Sequence, residues 1–433
     1  MTWYILLIIM LTLLMTLFAA GTPVFLSFLA LNVAGLLYLS GLPALNLIVN
    51  SMYSTGTAFS LAAIPMFILL GEILFRTGSV GVLFNAVDRV IGHFRARLFG
   101  VVISLSTIFG ALSGSSMAVA AMMGGSMLPE MRTRGYHRGL SLGSIVAGAA
   151  LAPIIPPSIL AILVGMLAGV SISQILIAGV IPGLILALSF LIYLVIRARL
   201  NPAVAPRSEE TLQTGGSVTR DVLLALPFLG IIVLVLGLIL GGVATPTESA
   251  GAGVIAAIVI TLLMGRLNWQ RLRTAIASTT RISGMILIIM VCSVAFSQLL
   301  SFSGASHQLV AWVTALDLNP WVMFIALMAL AFVLCMFIDQ IALMLLLIPL
   351  YLPITGLLGF DPLWFWTMFL INISIGNITP PFGYTLFALK GTAPDIPMGE
   401  IYRSVWPFVG IFLAAMVLFA LMPQIILYLP SLI

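Results

Sequence analysis

The chain has 433 residues, of which 62% are apolar and only 7% charged, and its mean hydropathy is +1.26. A water-soluble domain has no use for so much apolar surface, and apolar runs of this length are too long for barrel strands, so the composition predicts an all-α polytopic membrane protein held in a lipid bilayer. The formal net charge of +5 does not imply a nucleic-acid partner, because the basic residues fall in short clusters between apolar runs.

Two cysteines, Cys292 and Cys335, sit inside apolar runs and offer no disulfide framework or metal-binding spacing. The first apolar run, 3–20, has no basic stretch before it and is read as a first span, not a cleaved signal. Runs at 23–40 and 58–75 follow. The more polar piece between them, 44–57, carries Asn46, Asn50, Ser51, Ser54 and Thr55 and is expected to lie at the membrane interface. A polar stretch with Arg76, Asp88, Arg89, His93, Arg95 and Arg97 leads into a run at 98–128, interrupted at Ser113-Gly114-Ser115-Ser116. After Glu130, Arg132, Arg134, His137 and Arg138, a run at 139–170 is interrupted near 150–157, and a run at 174–196 ends at Arg197 and Arg199.

Residues 201–221 read as a linker, with Pro202, Pro206, Arg207, Glu209, Glu210, Gly215 and Gly216. The plan then repeats. Spans near 222–243 and 248–265 precede an amphipathic piece near 268–281, a span near 284–301 and a connector near 303–320. A run at 321–357 is interrupted at Ile338-Asp339-Gln340, a run at 363–390 at Ile378-Thr379-Pro380-Pro381, and a last span covers 405–427.

The basic clusters orient this plan. Arg flanks both ends of 98–128, which places both ends on the cytoplasmic side and makes the run a re-entrant hairpin with Ser113–Ser116 at its tip. The repeated plan makes 321–357 a second hairpin. The expected architecture is ten crossings and two hairpins, in two inverted halves, 1–200 and 222–433, of five crossings each. All 17 Lys and Arg then fall on the cytoplasmic side, Glu248, Asp317 and Asp361 fall outside, and both termini are periplasmic. The breaks keep one register: Ser115 to Asp339 and Pro156 to Pro380 are each 224 residues apart. Matching breaks in two halves point to a transporter's binding site.

Unwound backbone at the first tip frees carbonyl oxygens, and the hydroxyls of Ser113, Ser115 and Ser116 add to them, as a hard cation such as Na⁺ requires. The other reading is a small-residue helix contact. Residues 148–158 form the first break, where Pro156 and Pro157 remove backbone donors; a functional break and a simple kink are the alternatives. The second break is more polar. Gly376 allows unwinding, Asn377 and Thr379 offer side-chain oxygens, and the half-helix after Pro380 presents free amides suited to a carboxylate. Candidate substrate contacts are thus Ser115, Pro156, Pro157, Asn377, Pro380, Pro381 and Gly383.

Asp339 is the one carboxylate deep in an apolar run. Such a placement costs about 2.5–3.5 kcal/mol on insertion scales, so it should either bind a cation or cap the following half-helix. Glu72 pairs most simply with Arg76 one turn on. His93, His137 and His307 fall in polar connectors, and with no histidine at membrane depth a serine-hydrolase chemistry at Ser113–Ser115 lacks its base. A channel would need charge rings or a repeated filter loop, which are absent.

Ser113-Gly114-Ser115-Ser116, the stretch Met127 to Tyr136 and Gly376-Asn377-Ile378-Thr379-Pro380-Pro381 together resemble the large membrane subunit of TRAP transporters, the tripartite ATP-independent periplasmic carriers, over essentially the whole chain. The resemblance implies a Na⁺-coupled importer of organic acids in the bacterial inner membrane. In its elevator mechanism, hairpins and broken helices slide as one body past a scaffold. It implies two partners, a small four-helix membrane subunit, here expected to be a separate chain, and a periplasmic substrate-binding protein. It also implies one Na⁺ site at Ser113, Ser116 and the backbone from Gly148 through Ala152 to Pro153, and another at Asp339, Gly376 and Thr379. The rival is a stand-alone divalent-anion/Na⁺ symporter, a group that tends to carry Ser-Asn-Thr at both tips where this chain has Ser-Gly-Ser-Ser and Ile-Asp-Gln.

Overall fold

The structure, a computed structural model, describes residues 3–91, 96–206 and 218–432. His93, Arg95, Arg207, Glu209, Glu210, Gly215 and Gly216 lie outside the described residues, which are helical with no strand among them. The first elements are α1 (Trp3–Ala19), α2 (Val24–Ser40), α3 (Asn46–Gly56), α4 (Ala63–Arg76) and α5 (Ser79–Ile91). The expected hairpin is α6 (Arg97–Ser113) with α7 (Ser116–Thr133), and the broken run is α8 (Arg138–Ala149) with α9 (Ile159–Ala168). Next come α10 (Ile172–Ala178), α11 (Val180–Leu200), α12 (Val218–Leu240), α13 (Pro246–Leu263), α14 (Trp269–Phe302) and α15 (Ala305–Ala315). The second hairpin is α16 (Pro320–Cys335) with α17 (Gln340–Thr355), the second broken run α18 (Pro362–Gly376) with α19 (Tyr384–Thr392), and α20 (Met398–Leu421) and α21 (Gln424–Leu427) close the chain.

Among the described residues six stretches are long and apolar enough to cross a membrane: 59–76, 172–200, 219–240, 246–263, 269–302 and 398–421. The other four expected crossings are α1 and α2, of 17 residues each and so at the short end of the spanning range, and the two broken runs.

Three boundaries differ from the sequence reading. The amphipathic piece and the span after α13 are one 34-residue helix, α14, because nothing between Arg271 and Phe302 breaks it: no proline, and only Gly284. Within 201–221, helix begins at Val218, and Asp221 in its first turn meets both the positive helix end and Arg89, 2.5 Å away. The polar stretch before the first hairpin contains the amphipathic helix α5, which buries Val82, Leu83 and Ala86.

Local caps explain where the chain turns. Gly114 takes φ +60°, a left-handed conformation that ends α6 and that a side chain would resist. Thr245 and Glu248 close a capping box on α13.

Contacts between loops show which ends lie together. The Tyr136 hydroxyl accepts from Leu98 N at 3.3 Å, joining the two outer ends of the first hairpin. Arg132 reaches Asp395 at 2.8 Å and Arg138 reaches Glu400 at 3.1 Å, so that end lies beside the start of α20. Arg76 donates to Ser278 and Arg266 to the Gly78 carbonyl, which ties the basic corners of α4 and α13. The second hairpin is fastened differently. Trp321 packs on Phe360 at 4.9 Å, Phe324 stacks on Trp364, and Trp364 Nε1 donates to Phe419 O near the end of α20. α20 is 24 residues long, about 36 Å, so the two hairpins enter from opposite ends of the molecule, one end basic and the other aromatic.

The second arm of each hairpin packs on the second part of the other broken run: α7 on α19, and α17 on α9. Small residues bring the first of these pairs close, since a Cβ on Gly124 would stand 2.3 Å from Thr392 Oγ1.

Candidate substrate and ion site

The first tip is a Ser-rich corner. Ser115 Oγ accepts from Ala118 N at 3.3 Å and caps α7, while Ser113 Oγ accepts from Ser115 N at 3.4 Å. Ser116 is buried and its hydroxyl has no hydrogen-bond partner. The first break lies directly behind. A Cβ on Gly110 would be 2.9 Å from Ala152 Cα, and one on Gly148 would be 2.6 Å from Ser106 Cβ. Ser158 Oγ donates to Pro153 O at 2.5 Å and accepts from Ala161 N, so it caps α9.

At the second tip Asp339 Oδ2 accepts from Ile341 N at 3.0 Å, the capping arrangement. Gln340 Nε2 and Cys335 Sγ both donate to Ile373 O, at 3.0 and 3.2 Å, and Phe382 N donates to Met336 O, so this tip is laced to the second break. In that break Thr379 Oγ1 donates to Ile375 O at 2.8 Å and keeps its lone pairs, Asn377 Nδ2 donates to Thr385 Oγ1 at 2.7 Å, and the Tyr402 hydroxyl donates to Pro381 O. The peptides Pro156–Pro157 and Pro380–Pro381 are both cis.

Both tips open on one cleft of about 370 Å³. Of the sequence-selected residues, Ser113, Ser115, Ser116, Asp339 and Asn377 line it. Gly148, Ala152, Pro153, Pro156 and Pro157 do not; they are buried behind the first tip. Gly376, Thr379 and Gly383 are buried behind the second tip, and Pro380 and Pro381 are half-buried beside it. Glu72 lines the cleft as well, paired with Arg76 at 2.6 Å as expected. The reading of the sequence placed Gln340 at the tip without a site role and missed Tyr384 and the α14 residues Ile282 and Ile286, all of which line the cleft. Tyr384 had a signal, as the first residue of the half-helix after the second break; the α14 residues had none, because ordinary apolar side chains in a span carry no mark of what they face.

The feature with chemical meaning is the set of helix starts. α7, α9, α17 and α19 all begin at the cleft wall, at Ser116, Ile159, Gln340 and Tyr384. Each N-terminus carries roughly half a positive charge with free amides. Anions are thereby favoured although no Lys or Arg lines the cleft. Asp339, Glu72 and the serine oxygens of the first tip supply the opposite preference, for a hard cation. Among the described residues no cluster of three or more His, Cys, Asp or Glu could hold a metal ion, and both cysteines are buried and free.

Two hairpin tips and two broken helices around one cleft are the build of a membrane permease. The family model described as "Tripartite ATP-independent periplasmic transporter, DctM component" matches residues 11–425. The chain belongs to this family, as the large membrane subunit of a TRAP transporter, and is a multi-pass protein of the bacterial inner membrane. It is 32% identical over 415 residues to the ectoine/5-hydroxyectoine TRAP transporter large permease protein UehC of Ruegeria pomeroyi, covering 95% of this chain and 96% of that protein. It is 28% identical to the sialic acid TRAP transporter large permease protein SiaM of Vibrio cholerae over 95% of this chain and 96% of that protein. It is also 28% identical to the C4-dicarboxylate TRAP transporter large permease protein DctM of Pseudomonas aeruginosa, over 88% of each chain. In fold it is similar to the crystal structure of the YdaH transporter of Alcanivorax borkumensis, with a TM-score of 0.66 at 16% identity over 89% of this chain and 90% of that one.

Proposed function

We propose that the subunit imports a small organic acid by Na⁺ symport, taking the solute from a periplasmic binding protein and working beside a small four-helix membrane subunit. The observation that carries this reading is the convergence of four helix N-termini and the Asp339 carboxylate on one cleft, which suits a carboxylate and a cation together. The carboxylate docks on the free amides. Na⁺ occupies a first site at Ser113, Ser116 and the backbone of Gly148, Ala152 and Pro153, and a second at Asp339, Gly376 and Thr379. Ser115 and Asn377, which line the cleft, contact the solute beside the helix starts at Ile159 and Tyr384, while the breaks at Pro156, Pro157, Pro380, Pro381 and Gly383 set where those helices begin.

The hairpins and broken helices move together as an elevator body, with the basic end cytoplasmic and both termini periplasmic. Ectoines, C4-dicarboxylates and sialic acid, named for the relatives, all carry carboxylates and are the solutes to try first. The test is uptake of these three into proteoliposomes containing the chain alone, with the small subunit, and with the binding protein as well, each with and without a Na⁺ gradient. Uptake confined to the complete, Na⁺-driven system supports the reading. Uptake by the chain alone would make it a stand-alone symporter.

A further inference from the structure

Asp339 belongs to two cavities. One is the cleft just described. The other, of about 600 Å³, borders the second tip and the corner between α1 and α2, with Phe18 and Thr22 in its lining together with Phe337, Phe382 and Tyr384. Asp339 and Tyr384 line both, so this pair forms the partition between them. The carboxylate is half-buried and uses one oxygen to cap α17.

The second cavity has a chemical bias of its own. Asp339 is its one charged lining residue, no Lys or Arg lines it, and four of its walls are aromatic rings. A lone carboxylate among aromatic faces attracts a monovalent cation and repels a carboxylate. Two of the four helix starts, those of α17 and α19, border it, against all four at the cleft, so its pull on an anion is the weaker of the two.

We infer that this second cavity is the cation's own route to Asp339, separate from the solute's. The inference rests on the proposal that Asp339 binds Na⁺. It adds that the ion reaches and leaves Asp339 past Thr22 and Phe18, even while the cleft holds solute. Loading and release of the second ion are then not forced into a fixed order by occupancy of the cleft.

The test places a thiol at the partition and asks from which side it is reached. Asp339→Cys is made in the full transporter, with Cys292 and Cys335 replaced by Ala, and treated in membrane vesicles with a cationic trimethylammonium methanethiosulfonate reagent. Thr22→Phe is added to plug the second cavity and, separately, Ile286→Phe to plug the cleft. Thr22→Phe is expected to slow modification about tenfold or more, and Ile286→Phe to leave it within about twofold. The reverse pattern, equal slowing by both plugs, or a thiol that never reacts because lipid fills the cavity, would overturn the separate route. Asp339→Asn in the otherwise native transporter is scored for Na⁺ dependence of uptake in parallel. Unchanged Na⁺ dependence there would remove the ion from Asp339 altogether, a failure of the sodium reading that the accessibility pattern cannot mimic.

Discussion

Gly376 packs directly on Cys335: a Cβ at position 376 would stand 2.4 Å from Cys335 Cβ and 2.8 Å from its sulfur. The contact joins the end of the second hairpin's first arm to the start of the second break. It also lies one turn from Ile373 O, which Cys335 and Gln340 both hold. Gly376→Ala should therefore force the tip away from the break, costing about 1–3 kcal/mol and most of the transport. Cys335→Gly should restore part of both, since it removes the clashing atoms. A double-mutant cycle on thermal stability and uptake measures this coupling; additive losses would mean that the two residues do not act through their contact.

Ser116 makes a contrasting case. Its hydroxyl is buried without a partner, and an unmet hydroxyl is a cost to the folded state of about 1–3 kcal/mol. Ser116→Ala should leave the melting temperature unchanged or raise it. If a cation supplies the missing partner, the Na⁺ concentration for half-maximal uptake should rise about tenfold, equivalent to about 1.4 kcal/mol of binding. A drop in stability with unaltered Na⁺ activation would make Ser116 a packing residue.

At Asp339 the cap and the charge can be separated. Asparagine caps a helix nearly as well as aspartate, whereas alanine loses about 1 kcal/mol. Asp339→Asn should fold normally and lose Na⁺-driven uptake. Asp339→Ala should lose uptake and stability together. Retained uptake in the Asn variant would leave capping as the whole role of the side chain.

The ion pair between Arg132 and Asp395 gives a pH dependence outside the spans. The Arg132 guanidinium, by its hydrogen bond, holds the Asp395 carboxyl below the usual carboxylate range. A depressed folded value means that the pair's contribution is complete above the ordinary Asp value and is lost as pH falls through the folded one. Both side chains are about half exposed, at 47% and 52%, so the contribution is small. Asp395→Asn should lower the melting temperature by less than about 2 °C at pH 7, and that difference should shrink as pH falls below the ordinary Asp value and through the folded one. A difference persisting into acid would assign it to packing.

Much of the helical plan follows from the order of apolar, polar and basic residues. In lipid every backbone group must be met within the segment, so long apolar runs are helices wherever they occur. Prolines, glycines and serines inside such runs mark their breaks. The Ser113–Ser116 corner, the Asp339 tip and the two Pro-Pro breaks were legible for that reason. The capping role of Asp339 and the Glu72–Arg76 pair were legible too, because they depend on neighbours within one turn. The unbroken length of α14 was misread because a change from polar to apolar composition resembles a boundary although no residue there breaks a helix.

Only the tertiary structure decided what the breaks make together. Two tips 224 residues apart share one cleft because the hairpins enter from opposite ends and each packs on the other broken run, and no local pattern encodes such long-range packing. The convergence of four helix starts, the burial of Pro156 and Pro157 against the partial exposure of Pro380 and Pro381, and the two faces of Asp339 all depend on it. Sequence fixes which backbone amides and oxygens are left unpaired; packing fixes where in space they point, and a binding site is a matter of the second.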